Sequence, residues 1–250
     1  KVKLIAGPLR SEVDLAVQDI CADYKVMFVQ PAGLATTRAE KIHKDYEKYK
    51  YGFRPFISSP FIGECSCYQT GMIADVIRKE LGIENPKVVM VTEKSLFGEQ
   101  TAEGFRETAA KVGIEIVDER LISPMATDVT AELTAVKASG AHILHIIVTG
   151  PAGVPIVRQW RELKIPVAFT GINGPMYDFT AFWEATKANY AGDSVAYGII
   201  DTPVSRSFAK KFREKWGREP MSPPTSTYGG VWLWREAVEK AGTFEPDAVA

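Results

Sequence analysis

Cysteine, histidine and excess charge of either sign are scarce in this sequence, and each scarcity removes a class of function. Its three cysteines, Cys21, Cys65 and Cys67, match no zinc spacing and form no even disulfide framework. The three histidines lie far apart or on one apolar strand, so His142 and His145 are expected to be edge or core residues. A formal net charge of -1 without a basic stripe argues against nucleic acid or an anionic membrane surface as the main partner.

Nucleotide-binding glycine motifs and long hydrophobic runs are missing as well. No G-x-G-x-x-G or G-x-x-x-x-G-K-[ST] pattern occurs, and no G-x-S-x-G element is present to carry a serine nucleophile. No apolar run reaches the roughly 20 residues of a membrane span. These absences favour a binding protein without cofactor, metal or catalytic residues over an enzyme.

The opening of the chain has the pattern of a strand, a turn and a helix that together suit an anion. Residues 2–6 are mainly apolar, Gly7 permits a sharp turn, and Ser11 stands where a helix begins, with Asp14 three residues on as in a capping box. Unpaired N–H groups at a helix start attract a carboxylate or phosphate without a basic side chain. Ser11 is therefore either a ligand-binding residue or only the cap of its own helix.

Short apolar strands alternate with amphipathic helices along the rest of the chain, which is typical of doubly wound parallel sheets. Strands are predicted at residues 26–29, 87–92, 114–121, 142–149, 167–170 and 195–200. Helices are predicted at residues 13–24, 68–81, 98–112, 128–139, 153–163, 179–187, 205–216 and 227–241. The lysine-rich stretch 36–51 is interpreted as a solvated loop or helix.

Prolines and serines between Gly52 and Pro60 interrupt this alternation, as a segment that passes between two lobes would. We predict a first lobe from residues 1–58 and 201–250, and a second lobe from residues 59–200 that contains five parallel strands. The chain begins inside a strand without an initiator methionine and stops in the first turn of a helix. We therefore expect a segment of a longer protein whose first lobe lacks strands on at least one side.

The turns that follow the predicted strands carry small, hydroxyl or aromatic residues. These positions are Ser11 and residues 32–34, 96–98, 149–150 and 172–174. Because the carboxyl ends of parallel strands meet at one edge of a sheet, the turns are expected to line a cleft for a small polar ligand. Each turn taken alone also suits a purely structural role.

Several stretches together resemble the type I periplasmic binding proteins of the leucine/isoleucine/valine-binding kind, which serve ABC importers. The matching stretches are L-I-A-G-P-L-R-S, Y-K-V-M-F-V-Q-P-A-G, F-R-P-F, V-V-M-V-T-E-K-S-L-F-G-E-Q, A-T-D-V-T-A-E-L-T-A-V-K-A-S-G-A and F-A-K-K-F-R-E-K-W-G-R-E-P followed by T-Y-G-G-V. The resemblance implies two α/β lobes joined by a multi-crossing hinge that closes on a ligand. It also implies a membrane permease as partner and a periplasmic or extracellular location, with a lipid anchor as one option.

Carried over position by position, the resemblance implies a set of ligand-binding residues. Ser11 matches the serine that holds the ligand carboxylate, helped by the backbone of Ala32 and Gly33. Phe97 and Tyr228 match aromatic residues of the pocket, and core packing is the alternative for both. A ligand-sensing domain of a receptor or regulator with the same fold is the alternative function.

Three further positions of the implied pocket depart from the family pattern. Thr149 or Gly150 falls where the family often has a tyrosine, and Leu34 replaces a threonine that amino-acid binders usually have. Asn173 stands where they usually have the acidic residue that pairs with the ligand ammonium. Because asparagine cannot neutralise a buried ammonium, we expect a carboxylate without an α-amino group, or a neutral amide, to bind better than leucine or valine. Asn173→Asp is expected to favour ligands that carry an ammonium group.

Overall fold

Two parallel β-sheets, one in each of two units, organise the fold. The computed structural model describes residues 2–177, 179–186, 201–220 and 222–250. The chain separates into one unit of Lys1–Ser58 with Tyr197–Ala250 and a second unit of Ser59–Ala196. Within the described ranges, no helix is both long and apolar enough to cross a membrane.

The elements follow the chain in a β/α alternation. The strands are β1 (Leu4–Ala6), β2 (Met27–Val29), β3 (Gly52–Phe53), β4 (Lys87–Glu93), β5 (Glu115–Ile122), β6 (Ile143–Val148) and β7 (Ala168–Asn173). The α-helices are α1 (Ser11–Asp23), α2 (Thr37–Lys44), α3 (Tyr46–Tyr49), α4 (Ser59–Leu81), α5 (Leu96–Ala109), α6 (Thr130–Ala138), α7 (Gly153–Glu162), α8 (Phe179–Ala185), α9 (Pro203–Trp216), α10 (Ser222–Ala241) and α11 (Pro246–Val249).

The first unit contains a three-stranded parallel sheet in the order β1-β2-β3. All three residues of the central strand β2 are buried, because the sheet is covered on both faces as parallel sheets are. Helix α10 lies directly on this strand at Gly230, where a Cβ atom would come within 2.5 Å of the Val29 side chain. A glycine at this position therefore lets the helix backbone approach the sheet.

The second unit contains a four-stranded parallel sheet in the order β5-β4-β6-β7. The two central strands, β4 and β6, are apolar runs that are buried almost without interruption. Four of the five parallel strands predicted between residues 59 and 200 are thus confirmed. The fifth, predicted at residues 195–200, lies outside the described residues.

Two element boundaries differ from the sequence prediction. Helix α4 begins at Ser59 and not near residue 68, because Pro60 falls in its first turn, where a missing N–H costs nothing. Strand β7 runs on through the predicted turn to Asn173, since this segment continues to pair with β6. The lysine-rich stretch forms the short helices α2 and α3.

Helices α4 and α5 pack against each other through two glycines. A Cβ atom at Gly63 would overlap the carbonyl oxygen of Thr101, and one at Gly104 would overlap the carbonyl oxygen of Pro60. Both glycines are buried and neither has a positive φ, so the close approach of the two backbones is the reason for their presence.

We expect Gly63→Ala to lower the free energy of unfolding by about 1–3 kcal/mol, the usual cost of overpacking. Alanine favours a helix over glycine by roughly 1 kcal/mol, so the overlap must outweigh that gain. Gly229, in helix α10, has open space where its Cβ would lie and is the matched control. Urea unfolding should show Gly229→Ala unchanged or slightly more stable, and an equal gain for Gly63→Ala would contradict the close contact.

Candidate functional site

Ser11 lies at the carboxyl end of β1 and is tied to the loop that follows β2. Its side chain is buried, and its hydroxyl oxygen accepts a hydrogen bond from the N–H of Leu34 at 3.2 Å. A hydroxyl that accepts in this way keeps its own hydrogen for another acceptor. The residue therefore joins two strand ends of the first unit and still has a donor to offer.

The capping box predicted from Ser11 and Asp14 is wrong. Helix α1 begins at Ser11 itself, its N-cap is Arg10, and no side-chain hydrogen bond caps it. The reason is that the Ser11 hydroxyl is one residue too far into the helix and is bonded to the Leu34 loop.

The loop of Ala32, Gly33 and Leu34 sits directly on helix α1. Ala32 is half-buried, whereas Gly33 and Leu34 are buried. A Cβ atom at Gly33 would lie 2.9 Å from the Cβ of Asp14 and would overlap the side-chain amide of Gln30. Only glycine therefore lets this loop approach the helix, and the backbone of the loop is held beside Ser11.

A buried polar cluster, which we call the Asp14–Arg38 cluster, lies in the same unit. Its members are Asp14, Gln18, Gln30 and Arg38. Both carboxylate oxygens of Asp14 and all three guanidinium nitrogens of Arg38 lack a hydrogen-bond partner among the described residues. Such groups are costly to bury, so their opposite charges must stabilise each other.

Burial dominates the titration of both charged members of the cluster. It raises the pKa of Asp14 to about 6, although Arg38, Arg54 and Lys41 act in the opposite direction. It lowers the pKa of Arg38 to about 10, opposed by the Asp14 charge. Sequence reasoning missed this cluster because Arg38 stands in a lysine-rich stretch that is typical of a solvated surface.

In the second unit, Glu93 brings together two of the predicted site positions, Thr149 and Gly150. It is the last residue of β4 and is 1% exposed. Its carboxylate accepts hydrogen bonds from Thr149 N–H at 2.7 Å, the Thr149 hydroxyl at 2.8 Å, Gly150 N–H at 3.0 Å and the Ser95 hydroxyl at 2.7 Å. We call these four residues the Glu93 network.

The Glu93 network also positions Phe97. Ser95 is the N-cap of helix α5 and accepts the N–H of Gly98 at 3.0 Å, so the bonds to Glu93 anchor the first turn of that helix. Phe97 lies in this turn and is half-buried. Glu93 itself was not predicted from sequence, although an acidic residue at the end of an apolar strand is a usable signal.

Asn173 ends strand β7 beside the same turn, since it pairs with Val148, the residue before Thr149. Its side chain is buried and its Nδ2 donates to the carbonyl of Gly153 at 3.1 Å. A side chain at position 153 would overlap the Asn173 Oδ1. The amide is therefore packed against the start of helix α7.

Tyr228 belongs to a row of aromatic side chains on helices α9 and α10. Its ring stacks on Phe208 at 4.4 Å between centroids and meets Trp232 edge-on at 6.1 Å. The side chain is half-buried. The contacts that the structure gives for Tyr228 are thus packing contacts within the first unit.

One histidine and one cysteine, His145 and Cys21, lie in the interior. His145 is completely buried between Ser66 and Thr70, as predicted for a core histidine with satisfied hydrogen bonds, and Cys21 is buried in the core as predicted. All three cysteines are free. Across the described ranges, no group of three or more His, Cys, Asp or Glu side chains is arranged to hold a metal ion.

Comparison with known proteins finds relatives over the whole chain. The model of the periplasmic binding protein family matches residues 1–250. The Leu/Ile/Val-binding protein BraC3 of Rhizobium johnstonii is 25% identical over 256 residues, which cover 100% of this chain and 64% of the relative. The chain therefore spans less than two thirds of that protein.

Two solved structures show the same fold at low sequence identity. LivJ, a branched-chain amino acid transporter substrate-binding protein from Streptococcus pneumoniae in complex with isoleucine, has a TM-score of 0.78 at 20% identity, with coverage of 100% of this chain and 68% of LivJ. A solute-binding protein of an ABC transporter from R. palustris in complex with benzoate has a TM-score of 0.77 at 16% identity, with coverage of 99% and 66%. The resemblance inferred from the sequence motifs is confirmed: this chain belongs to the periplasmic binding protein family and has the α/β fold of its type I members.

Proposed function

We propose that this chain is the ligand-capturing part of a solute-binding protein that feeds an ABC importer. It acts in the periplasm or outside the cell, holds a small carboxylate, amino-acid-like or amide ligand, and delivers it to a membrane permease. Residues 1–58 with 201–250 and residues 59–200 are the two lobes of the trap.

The observation that carries this proposal is the environment of Ser11. Its hydroxyl is buried, accepts the Leu34 N–H and keeps its own hydrogen at the carboxyl ends of β1 and β2. A donor held in this way suits a carboxylate oxygen, because hydrogen bonds to charged groups are the stronger ones. Isoleucine and benzoate, the ligands in the two related structures, differ in size and shape but share a carboxylate.

The remaining contacts of the proposed site come from both lobes. The first lobe supplies Ser11, Ala32, Gly33, Leu34 and Tyr228, and the second supplies Phe97, Thr149, Gly150 and Asn173. The backbone around Ala32 and Gly33 assists Ser11 at the carboxylate. Phe97 and Tyr228 are apolar walls, and Thr149, Gly150 and Asn173 are further ligand contacts.

We expect Ser11→Ala to weaken the binding of benzoate or isoleucine about ten- to hundredfold. The loss corresponds to about 1.5–3 kcal/mol, the range for a hydrogen bond to a charged group. Isothermal titration calorimetry of the wild-type chain and the variant measures it.

The matched control for this experiment is Ser207→Ala, which removes a hydroxyl from an exposed position on helix α9. It should leave affinity unchanged. Thermal unfolding of both variants without ligand establishes that each is folded, since Ser11→Ala also leaves the Leu34 N–H without its acceptor. Equal affinity of the folded Ser11→Ala variant for both ligands would show that Ser11 does not hold the carboxylate.

A further inference from the structure

The first turn of helix α1 brings a buried carboxylate close to Ser11. Asp14 follows Ser11 by three residues, and its N–H donates to the carbonyl of Arg10 at 2.9 Å, so the turn is a regular helical one. Side chains three residues apart on a helix have their Cβ atoms about 5–6 Å apart. An anion held by the Ser11 hydroxyl therefore lies about one helical turn from the Asp14 carboxylate.

The loop that follows β2 fixes these two positions relative to each other. Its Leu34 N–H donates to the Ser11 hydroxyl oxygen at 3.2 Å, and its Gly33 packs on Asp14, where a Cβ atom would come within 2.9 Å of the Asp14 Cβ. A charge on Asp14 thus acts on a ligand at Ser11 through space, without any movement of the loop.

No direct hydrogen bond neutralises the Asp14 charge among the described residues. Both carboxylate oxygens are buried and unpartnered. The cations that act on Asp14 are Arg38 and Lys41 of α2 and Arg54 after β3, and Lys41 is already paired with Asp19 at 2.8 Å. Because water is excluded from this carboxylate, its charge is screened less than a surface charge would be.

The other elements packed on α1 place their charges elsewhere. Within α1 itself, Glu12 pairs with Arg10 at 3.6 Å on the surface, and Lys48 of α3 pairs with Asp23 at 3.2 Å. Strands β2 and β3 carry no charged residue. Among the described residues of the first unit, Asp14 is the one acidic side chain that is buried.

We propose that Asp14 is a specificity-determining residue that favours an anionic over a neutral ligand only when it is protonated, so that carboxylate binding at Ser11 is accompanied by uptake of a proton from solvent at Asp14. The inference rests on the proposed function, since it places the ligand carboxylate at Ser11. Two negative charges at one helix start repel each other, and the positive end of the helix cannot serve both fully.

The direction of the effect follows from this repulsion. Burial raises the pKa of Asp14 to about 6, so the group changes charge between about pH 5 and 7. A bound carboxylate raises this pKa further, and by reciprocity protonation of Asp14 strengthens carboxylate binding. Arg38 does not alter the sign, because its own pKa of about 10 keeps it charged in both states. A neutral amide gains nothing, so the preference for an anion grows as the pH falls.

The experiment counts protons and measures affinity in the same titrations. Benzoate and 3-methylpentanoate, both monoanions, are titrated calorimetrically into the wild-type chain at pH 6.5 in MES and in imidazole, buffers whose ionisation enthalpies differ. For a five- to tenfold coupling we expect uptake of about 0.4–0.5 proton per ligand at pH 6.5. Affinity should rise about three- to sixfold from pH 7.5 to pH 5.5.

Three variants separate this coupling from a structural role. Asp14→Asn imitates the protonated carboxyl, so its binding should be as tight at pH 7.5 as at pH 5.5 and should take up no proton. The double variant Asp14→Asn/Arg38→Met, which leaves no unpaired charge, should show the same loss of pH dependence. Glu12→Gln removes an exposed charge from the same turn and is the matched control, which should keep the wild-type proton uptake.

A measurement on the wild-type chain gives the same answer without a substitution. Carbon-13 NMR of the aspartate carboxyl groups, followed as a function of pH, should show the pKa near 6 rising to about 7 when benzoate is saturating. An unchanged pKa in the saturated chain would contradict the coupling even if every Asp14 variant failed to fold.

Failure of the inference is distinguishable from failure of the proposed function. If either monoanion binds without proton uptake, if uptake persists in the folded Asp14→Asn chain, or if isoleucine binds and neither monoanion does, the coupling is wrong and the proposed function stands. If none of the three probes binds to the folded chain, the proposed function fails and the inference fails with it.

Discussion

Lowering the pH from 7 to 4 is expected to reduce the free energy of unfolding of the wild-type chain by about 3 kcal/mol through His145 alone. Burial lowers the pKa of this histidine to about 3, from 6.5 when it is exposed. Because the folded-state pKa is the lower one, the unfolded chain takes up a proton first as the pH falls. The stability is therefore complete above about pH 6.5 and is lost progressively toward pH 3.

The surroundings of His145 explain why it stays neutral. Its Nδ1 lies 3.0 Å from the Thr70 hydroxyl and its Nε2 lies 3.3 Å from the Ser66 hydroxyl. The Thr70 hydroxyl donates its own hydrogen to the Ser66 carbonyl, so Nδ1 is the ring nitrogen that donates and Nε2 the one that accepts. Phe105 packs against the ring at 4.2 Å between centroids. Burial is the cause of the lowered pKa, and no neighbouring charge of the described residues contributes to it.

Urea unfolding at pH 7, 6, 5 and 4 measures this effect, with His145→Gln as the variant that cannot take up the proton. Glutamine keeps a donor and an acceptor for the two hydroxyls. The exposed His43 gives the control His43→Gln, which should follow the wild-type pH dependence. Parallel pH profiles for wild type and His145→Gln would contradict the assignment.

Replacing Arg38 by methionine is expected to lower the free energy of unfolding by about 3–5 kcal/mol at pH 8. The substitution removes the cation with the largest electrostatic effect on Asp14, whose carboxylate is fully buried and without a hydrogen-bond partner among the described residues. Methionine fills similar space beside Phe28, whose ring centroid lies 5.0 Å from the Arg38 guanidinium. The decrease in the free energy of unfolding therefore comes from the uncompensated charge of Asp14 more than from a cavity at position 38.

Two measurements separate this charge effect from a packing effect. At pH 5 the cost of Arg38→Met should be smaller than at pH 8, because the pKa of Asp14 is raised to about 6 and the carboxyl is then mostly neutral. The double variant Asp14→Asn/Arg38→Met should recover most of the loss at pH 8. Arg106→Met, which breaks the more exposed pair with Glu119, is the control and should cost no more than about 1 kcal/mol. Equal losses at both pH values would contradict the charge pairing.

Local sequence patterns were sufficient to predict the alternation of strands and helices in this fold. Strands β4 and β6 were predicted nearly to the residue, because an apolar run between turn residues has few alternatives to a buried parallel strand. The first half of helix α4 was missed, since Pro60 and Gly63 are breakers by propensity and only the packing against α5 explains them. Tertiary contact overrides local preference at these positions.

The turns at the strand ends were predictable from the sequence, whereas the hydrogen bonds and contacts that their residues make were not. Ser11, Gly33 and Thr149 were chosen because turns at strand ends line ligand sites. Their actual partners are distant in sequence: Leu34 for Ser11, Asp14 for Gly33 and Glu93 for Thr149. No local pattern encodes which buried carboxylate meets which turn, so the Glu93 network and the Asp14–Arg38 cluster had to come from the structure.

Calorimetric titration of the wild-type chain with benzoate, isoleucine and their methyl esters, which lack the carboxylate charge, tests most directly whether the carboxyl ends of β1 and β2 form a carboxylate site. Saturable one-to-one binding of at least one acid is expected, with its methyl ester at least tenfold weaker, because the ester lacks the charge that strengthens the bond from Ser11. Equal binding of acid and ester, or no binding of either acid to the folded chain, would contradict the proposal.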